Sequence, residues 1–327
     1  MFVSFIVRQT DARMNLDHDK AVYMKKIALL FPGQGAQHVG MCKDLYYAFP
    51  TFKYMIQQAE EAASLNISKL MFDGPEHLLM DTANAQPCLV AASMATLAVI
   101  KESVKHFDFA TTAGHSLGEY SALTSIGAID FETAIRLVCM RGKLMKESAT
   151  EGGMAAVIGL DRDKLQSCCN EHCVIANDNC PGQLVISGLP DGLDIAIEKA
   201  KKAGAKMIKR LTVSGPFHSP WMTDAQNHMQ EVFENIIIKP FTISYYPNIE
   251  ATPCTDHTRV TSLLLDQITG PVRFRETLIN MESSGIKEFF EIGPGQVLSG
   301  LAKRTCANIP CKIIHTGHDI EAIAMAC

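Results

Sequence analysis

The stretch Phe109-Ala110-Thr111-Thr112-Ala113-Gly114-His115-Ser116-Leu117-Gly118 decides how this chain is read. Phe109–Ala113 has the composition of a short strand, and a helix is expected from about Leu117, so a glycine-bracketed turn joins the two. Gly114–Gly118 fits the pattern G-x-S-x-G. That pattern puts a serine on a tight strand-to-helix turn with its Oγ exposed. The flanking glycines remove Cβ atoms that would clash as strand and helix approach. The following helix would aim its positive N-terminus at the place where an oxyanion forms, and the Leu117 amide is a candidate donor to it. The pentapeptide also occurs by chance in loops; the strand before and helix after give it weight.

Working outward, strands and helices alternate. Ile27–Phe31 reads as a buried strand ending at Pro32-Gly33. Gln57–Leu65, Leu89–Val104 and Phe131–Glu147 read as helices, the second apolar on several faces and so expected to be buried. Strand, turn and helix in repeated order predict an α/β layered core. The middle changes character. Met154–Leu160 (strand), Asp163–His172 (helix), Cys173–Ala176 and Gln183–Ser187 (strands), Asp194–Ala203 (helix) and Lys206–Val213 (strand) give βαββαβ, the ferredoxin-like order. A polar Asn/Asp/Pro/Gly turn is expected between the two central strands. Residues 152–212 are therefore expected to be a small insertion. After it come a helix at Trp221–Ile236, a strand near Thr242–Tyr246, a helix at Phe274–Ser284 and a strand at Glu288–Ile292. Residues 1–24, polar after Ile6-Val7 and without a clear period, are expected to be a disordered extension.

Composition bounds the function. The chain has 327 residues, 47% hydrophobic and 20% charged, with a formal net charge of -5. These values suit a globular protein of about two domains with a sizeable core. The acidic balance disfavours a general nucleic-acid binder. No convincing secretory leader is seen, and no stretch is expected to approach the roughly 18 apolar residues of a membrane span. The 11 cysteines are scattered. Cys168, Cys169, His172, Cys173 and Cys180 form the one metal-like cluster and lack a paired C-x-x-C spacing, so no metal is expected. Reduced thiols and a cytoplasmic location follow as expectations.

A serine nucleophile needs a base. His218 stands in Ser214-Gly215-Pro216-Phe217-His218-Ser219-Pro220, where two prolines and a glycine stiffen the loop. His115 adjoins the serine, but neighbours on a sharp turn point apart. Local pattern alone leaves His218 open between a base and a surface-loop histidine.

Several motifs then converge. Phe31-Pro32-Gly33-Gln34-Gly35-Ala36-Gln37, Gly114-His115-Ser116-Leu117-Gly118-Glu119-Tyr120, Cys139-Met140-Arg141-Gly142, Phe217-His218-Ser219 and Ile292-Gly293-Pro294-Gly295 closely resemble the malonyl-CoA:acyl carrier protein transacylases, in order and spacing, from about Lys25 to Arg304. The resemblance implies an α/β-hydrolase-like core with a parallel sheet, residues 25–151 and 213–315, and an inserted ferredoxin-like subdomain, 152–212. It implies Ser116 as the acylated residue and His218 as its base and acid. The backbone carbonyl at the position matching Arg273 would orient the histidine in place of a carboxylate, although arginine stands where glutamine is familiar. Gln34 and Leu117 would form the oxyanion hole. Arg141 would bind the substrate carboxylate, since a guanidinium meets a carboxylate with two parallel hydrogen bonds. Phe217, Asn177 and Asn179 would border the substrate. The implied partners are malonyl-CoA and a holo acyl carrier protein bearing phosphopantetheine, with no cofactor, nucleic acid or membrane. The implied reaction is a ping-pong transfer feeding fatty acid synthesis, the pathway favoured for a chain with no fused synthase domain. The alternatives are a serine esterase or thioesterase with the same elbow, an acyltransferase of polyketide synthesis, or a catalytically idle partner in such an assembly.

Overall fold

The computed structural model describes residues 26–148 and 151–326; the expected extension at 1–24 lies outside them. Among the described residues there are nine strands: β1 (Ile27–Phe31), β2 (Thr111–Gly114), β3 (Gly153–Ile158), β4 (Cys173–Cys180), β5 (Gln183–Gly188), β6 (Met207–Arg210), β7 (Ser244–Tyr246), β8 (Glu288–Ile292) and β9 (Cys311–Ile314). They form two sheets. A parallel sheet has the order β7-β2-β1-β8-β9, and an antiparallel one the order β4-β5-β3-β6.

The parallel sheet is covered on both faces, so its central strands β2, β1 and β8 are buried along their whole length instead of alternating. All five residues of β1, Ile-Ala-Leu-Leu-Phe, are buried. Strand β8 carries two glutamates and is equally buried. One of them, Glu291, accepts from the amides of Leu298 (2.9 Å) and Ser299 (2.7 Å), at the N-terminus of the helix Val297–Thr305. A carboxylate is favoured there because helix N-termini present unpaired N–H groups.

The long helix Thr82–Ser103 packs against the helices Pro50–Ala63 and Phe131–Glu147. Asp81 caps it by accepting from the Ala83 amide. Its length and mean hydropathy would suit a membrane span, contrary to the expectation that no stretch approaches one. Here it is a core helix: 83% of its most apolar window is buried within the protein.

The expected βαββαβ unit is present, with helices Arg162–Cys168 and Pro190–Lys202 on its antiparallel sheet. It has its own apolar core, including Val157, Leu165, Ile186 and Ala196. Strand β4 runs four residues further than expected, through Asn177–Cys180, with bulges on the way. These polar residues stay in the strand because they have partners. Asp178 donates its amide to the Val272 carbonyl (2.9 Å), and its buried carboxylate takes two 2.8 Å bonds from Arg275. The expected polar turn shrinks to Pro181-Gly182. The same contacts fasten the small sheet to the segment after the helix Val260–Thr269, and a cavity of about 310 Å³ opens between the layers, lined from both.

Candidate active site

Ser116 sits at the C-terminal end of β2 with φ +52°, in the left-handed region, and the helix Gly118–Ser125 begins two residues later. Such a conformation is strained for a residue with a Cβ and persists only when its surroundings enforce it. Two things enforce it. A Cβ on Gly114 would lie 1.9 Å from the Gly118 carbonyl carbon, so only glycine allows the crossing. Asn248, fully buried just after β7, accepts from the Ser116 amide through Oδ1 (2.7 Å) and donates to the Gly114 carbonyl through Nδ2 (2.6 Å).

His218 reaches the serine from the opposite wall. Its Nε2 is 2.8 Å from Ser116 Oγ. The ring is buried, and burial first, then the Arg141 guanidinium, lower its pKa from 6.5 to about 3. The neutral ring can therefore accept the serine proton. The sequence pattern leaves open a surface-loop role; the geometry removes it.

The orienting carbonyl is not at Arg273. His218 Nδ1 lies 2.8 Å from the carbonyl oxygen of Gln267. The reason is local. Within the helix, the Gln267 carbonyl would accept from the amide four residues on, and that residue is Pro271, which has none. The Arg273 carbonyl is engaged by the amide (3.0 Å) and hydroxyl (3.2 Å) of Thr277. Arg273 contributes differently: its amide donates to the Asn248 carbonyl (3.0 Å) and its side chain pairs with Glu276.

Arg141, on the helix Phe131–Glu147, is 1% exposed. Nη1 donates to Gln86 Oε1 (2.8 Å) and Nη2 to Gln267 Oε1 (2.9 Å), while Nη2 also lies 3.2 Å from Ser116 Oγ. The guanidinium lies over the Tyr120 ring at 5.8 Å. Burial lowers its pKa, but an arginine starts so high that it stays cationic. A fixed cation held by neutral carboxamides beside the nucleophile suits an anionic group on the reacting molecule.

Gln34 and Leu117 both line the cavity, and neither backbone amide has an acceptor among the described residues. The loop carrying Gln34 lies against the elbow: a Cβ on Gly33 would be 2.3 Å from the His115 carbonyl oxygen. Phe217 and Asn177 line the cavity as well. Asn179 does so while its Oδ1 lies 2.7 Å from His115 Nε2, which occupies the second histidine away from the serine.

The sequence reading missed Gln86, Glu119, Asn248 and Gln267. Glu119 is fully buried and accepts through Oε2 from Gln267 Nε2 (2.7 Å) and the Asn248 amide (3.0 Å). Burial raises its pKa to about 7, against the lowering effect of those bonds and of Arg141. Pro271 four residues after a helical glutamine was the available signal for Gln267. For Asn248 and Gln86 no local signal exists.

Residues 28–321 match the model of the acyl transferase domain. The chain belongs to the acyl transferase family. Among its relatives, the malonyl CoA-acyl carrier protein transacylase of Bacillus subtilis is 43% identical over 289 residues, covering 86% of this chain and 90% of the relative. An acyl-carrier-protein S-malonyltransferase from Bartonella henselae superposes with a TM-score of 0.89 at 38% identity, covering 92% of this acyltransferase and 98% of that chain. A malonyl-transacylase solved in complex with a type II polyketide synthase acyl carrier protein gives 0.89 at 35%, with 92% and 100% covered.

Proposed function

We propose that this acyltransferase is an [acyl-carrier-protein] S-malonyltransferase, moving malonyl from malonyl-CoA to the phosphopantetheine thiol of an acyl carrier protein through a malonyl-Ser116 ester. The observation that carries the reading is the buried Arg141 guanidinium 3.2 Å from Ser116 Oγ. A dicarboxylic acyl group spans that gap: its thioester carbon meets the serine while its free carboxylate meets the cation. Water-consuming esterases with the same elbow have no need of such a cation.

In the first half-reaction His218 Nε2 takes the Ser116 proton as Oγ attacks the thioester carbon. The oxyanion is held by the amides of Leu117 and Gln34, donors already free and fixed before charge develops, which is where such stabilisation is strongest. The C–S bond breaks and His218 returns the proton to the coenzyme A thiolate. In the second, His218 takes the proton of the carrier thiol, whose sulfur attacks the acyl-serine; the C–O bond breaks and the proton returns to Ser116. The Gln267 carbonyl keeps the imidazole in the tautomer with Nδ1–H, leaving Nε2 free to accept. Asn177 and Phe217 border the acyl group, and Asn179 fixes His115. We place the enzyme in the cytoplasm, supplying fatty acid synthesis.

Intact-mass measurement after mixing with malonyl-CoA tests the reading. The wild-type protein should gain one malonyl group, and Ser116→Ala none, with turnover reduced by as much as about 10⁶-fold, as for other serine nucleophiles. A Ser116→Ala protein that still gains the mass would overturn it.

A further inference from the structure

The side-chain carboxamide of Gln267 stands between Ser116, Arg141 and Glu119. Its Oε1 accepts from Arg141 Nη2 (2.9 Å), and its Nε2 donates to the Ser116 carbonyl (3.0 Å) and to Glu119 Oε2 (2.7 Å). All three of Gln267, Arg141 and Glu119 are buried, so water cannot substitute for a lost partner. An amide can turn end for end about its last torsion, and the hydrogen-bond network decides which end points where. Here only one orientation is compatible with the neighbours. Arg141 has donors and no acceptor, so it needs the amide oxygen. Glu119 Oε2 also accepts from the Asn248 amide (3.0 Å), so this oxygen is an acceptor and needs the amide nitrogen. That remains so if a proton resides on Glu119 Oε1.

We infer that Glu119 is a positioning residue for acyl-group selection: by fixing the Gln267 carboxamide, it makes Gln267 present its oxygen to Arg141 and so holds the guanidinium beside Ser116. This rests on the reading of Arg141 as the seat of the substrate carboxylate. Glu119 itself does not line the cavity and touches no reacting atom. Without its acceptor oxygen, the carboxamide nitrogen keeps only the Ser116 carbonyl, so the amide is held at one point fewer, can tilt in its pocket, and lets Arg141 Nη2 shift off the serine. Acyl groups that carry a carboxylate would suffer; those without one would lose little.

The test compares self-acylation by malonyl-CoA and acetyl-CoA, followed by intact mass, in four variants. Arg141→Ala should collapse the malonyl preference. Glu119→Met, which keeps the length and removes the acceptor, should lower the malonyl-to-acetyl ratio by roughly tenfold or more, the scale of coupling between residues of one buried network. Glu119→Gln, which keeps an acceptor oxygen, should hold the ratio within about threefold of wild type. Glu119→Asp, which withdraws the oxygen by one methylene, should shift the ratio the same way as Glu119→Met and serves if that variant does not fold. An equal loss with both substrates, or an unchanged ratio in Glu119→Met or Glu119→Asp while Arg141→Ala collapses it, overturns the positioning role alone. An unchanged ratio in Arg141→Ala overturns the reading of Arg141 and this inference with it.

Discussion

His218 Nδ1 faces the backbone carbonyl of Gln267 at 2.8 Å, the place a carboxylate takes in a Ser-His-Asp triad. A carbonyl orients the ring and fixes its tautomer. It offers no full negative charge to stabilise an imidazolium, and the nearby Arg141 opposes one. The pair therefore holds a neutral imidazole that resists protonation from solvent.

A pH prediction follows. Burial and Arg141 lower the His218 pKa from 6.5 to about 3. A lowered histidine pKa keeps the neutral form populated as pH falls, so the base stays available well below pH 6.5. Single-turnover acylation should stay nearly flat down to about pH 5, where an unperturbed histidine would already be mostly protonated. An acid limb centred at or above 6.5 that persists in Glu119→Gln would contradict this; one that disappears in Glu119→Gln would belong to Glu119, whose pKa is raised to about 7.

Two glycines should respond in opposite directions to the same substitution. At Gly114 an added Cβ meets the Gly118 carbonyl carbon at 1.9 Å, which is backbone and cannot move without unmaking the elbow. Gly114→Ala should lose acylation and lower the melting temperature sharply. Gly300 lies within the helix Val297–Thr305, and nothing stands within 4 Å of an added Cβ. Gly300→Ala should stabilise by about 0.5–1 kcal/mol, because alanine loses less backbone freedom on forming a helix. Thermal denaturation of both variants checks the pair; a tolerated Gly114→Ala would count against the crossing geometry.

How far the sequence could be read depended on how local the determinants were. The elbow was legible because its constraint lies within five residues, Gly114 to Gly118. Strand β1 was legible because burial on both faces leaves an unbroken apolar run, and β8 because Phe289, Phe290 and Ile292 keep it strongly apolar despite its two glutamates. The helix Val260–Thr269 was not, since Val-Thr-Ser-Leu-Leu-Leu-Asp-Gln-Ile-Thr mixes β-branched residues with a leucine run and packing decides its form. That omission explains the misplaced orienting carbonyl: without the helix, Gln267 is an ordinary polar residue and the gap left by Pro271 goes unseen. Strand β9, Cys311–Ile314, was missed because four residues carry too little pattern. Asn248 was beyond reach, as its role exists only once β7 lies beside β2. Glu119 stands in the quoted motif, yet a glutamate in the first turn of a helix reads as a solvated charge until its burial is known.

Phe217 supplies the last prediction. It precedes His218, is 5% exposed and lines the cavity that holds Ser116 and Arg141. On the proposed reading, with the thioester carbon at Ser116 and the free carboxylate at Arg141, the α-carbon of the acyl group would be fixed between two anchors. An aromatic ring lining the same cavity would then leave little room for a methyl branch. Overfilling a packed site costs about 1–3 kcal/mol, which corresponds to roughly 10–200-fold in specificity. Phe217→Ser should therefore raise methylmalonyl-CoA relative to malonyl-CoA by about that factor, measured as the ratio of kcat/KM values. The competing account is that the ring anchors the loop, since it also packs in the large apolar cluster with Met154, Val185 and Met222. The two accounts separate cleanly. If the ring reads the substrate, the ratio changes while the melting temperature holds to within a few degrees. If it only supports the loop, both substrates lose rate together, the melting temperature drops, and the ratio stays where it was.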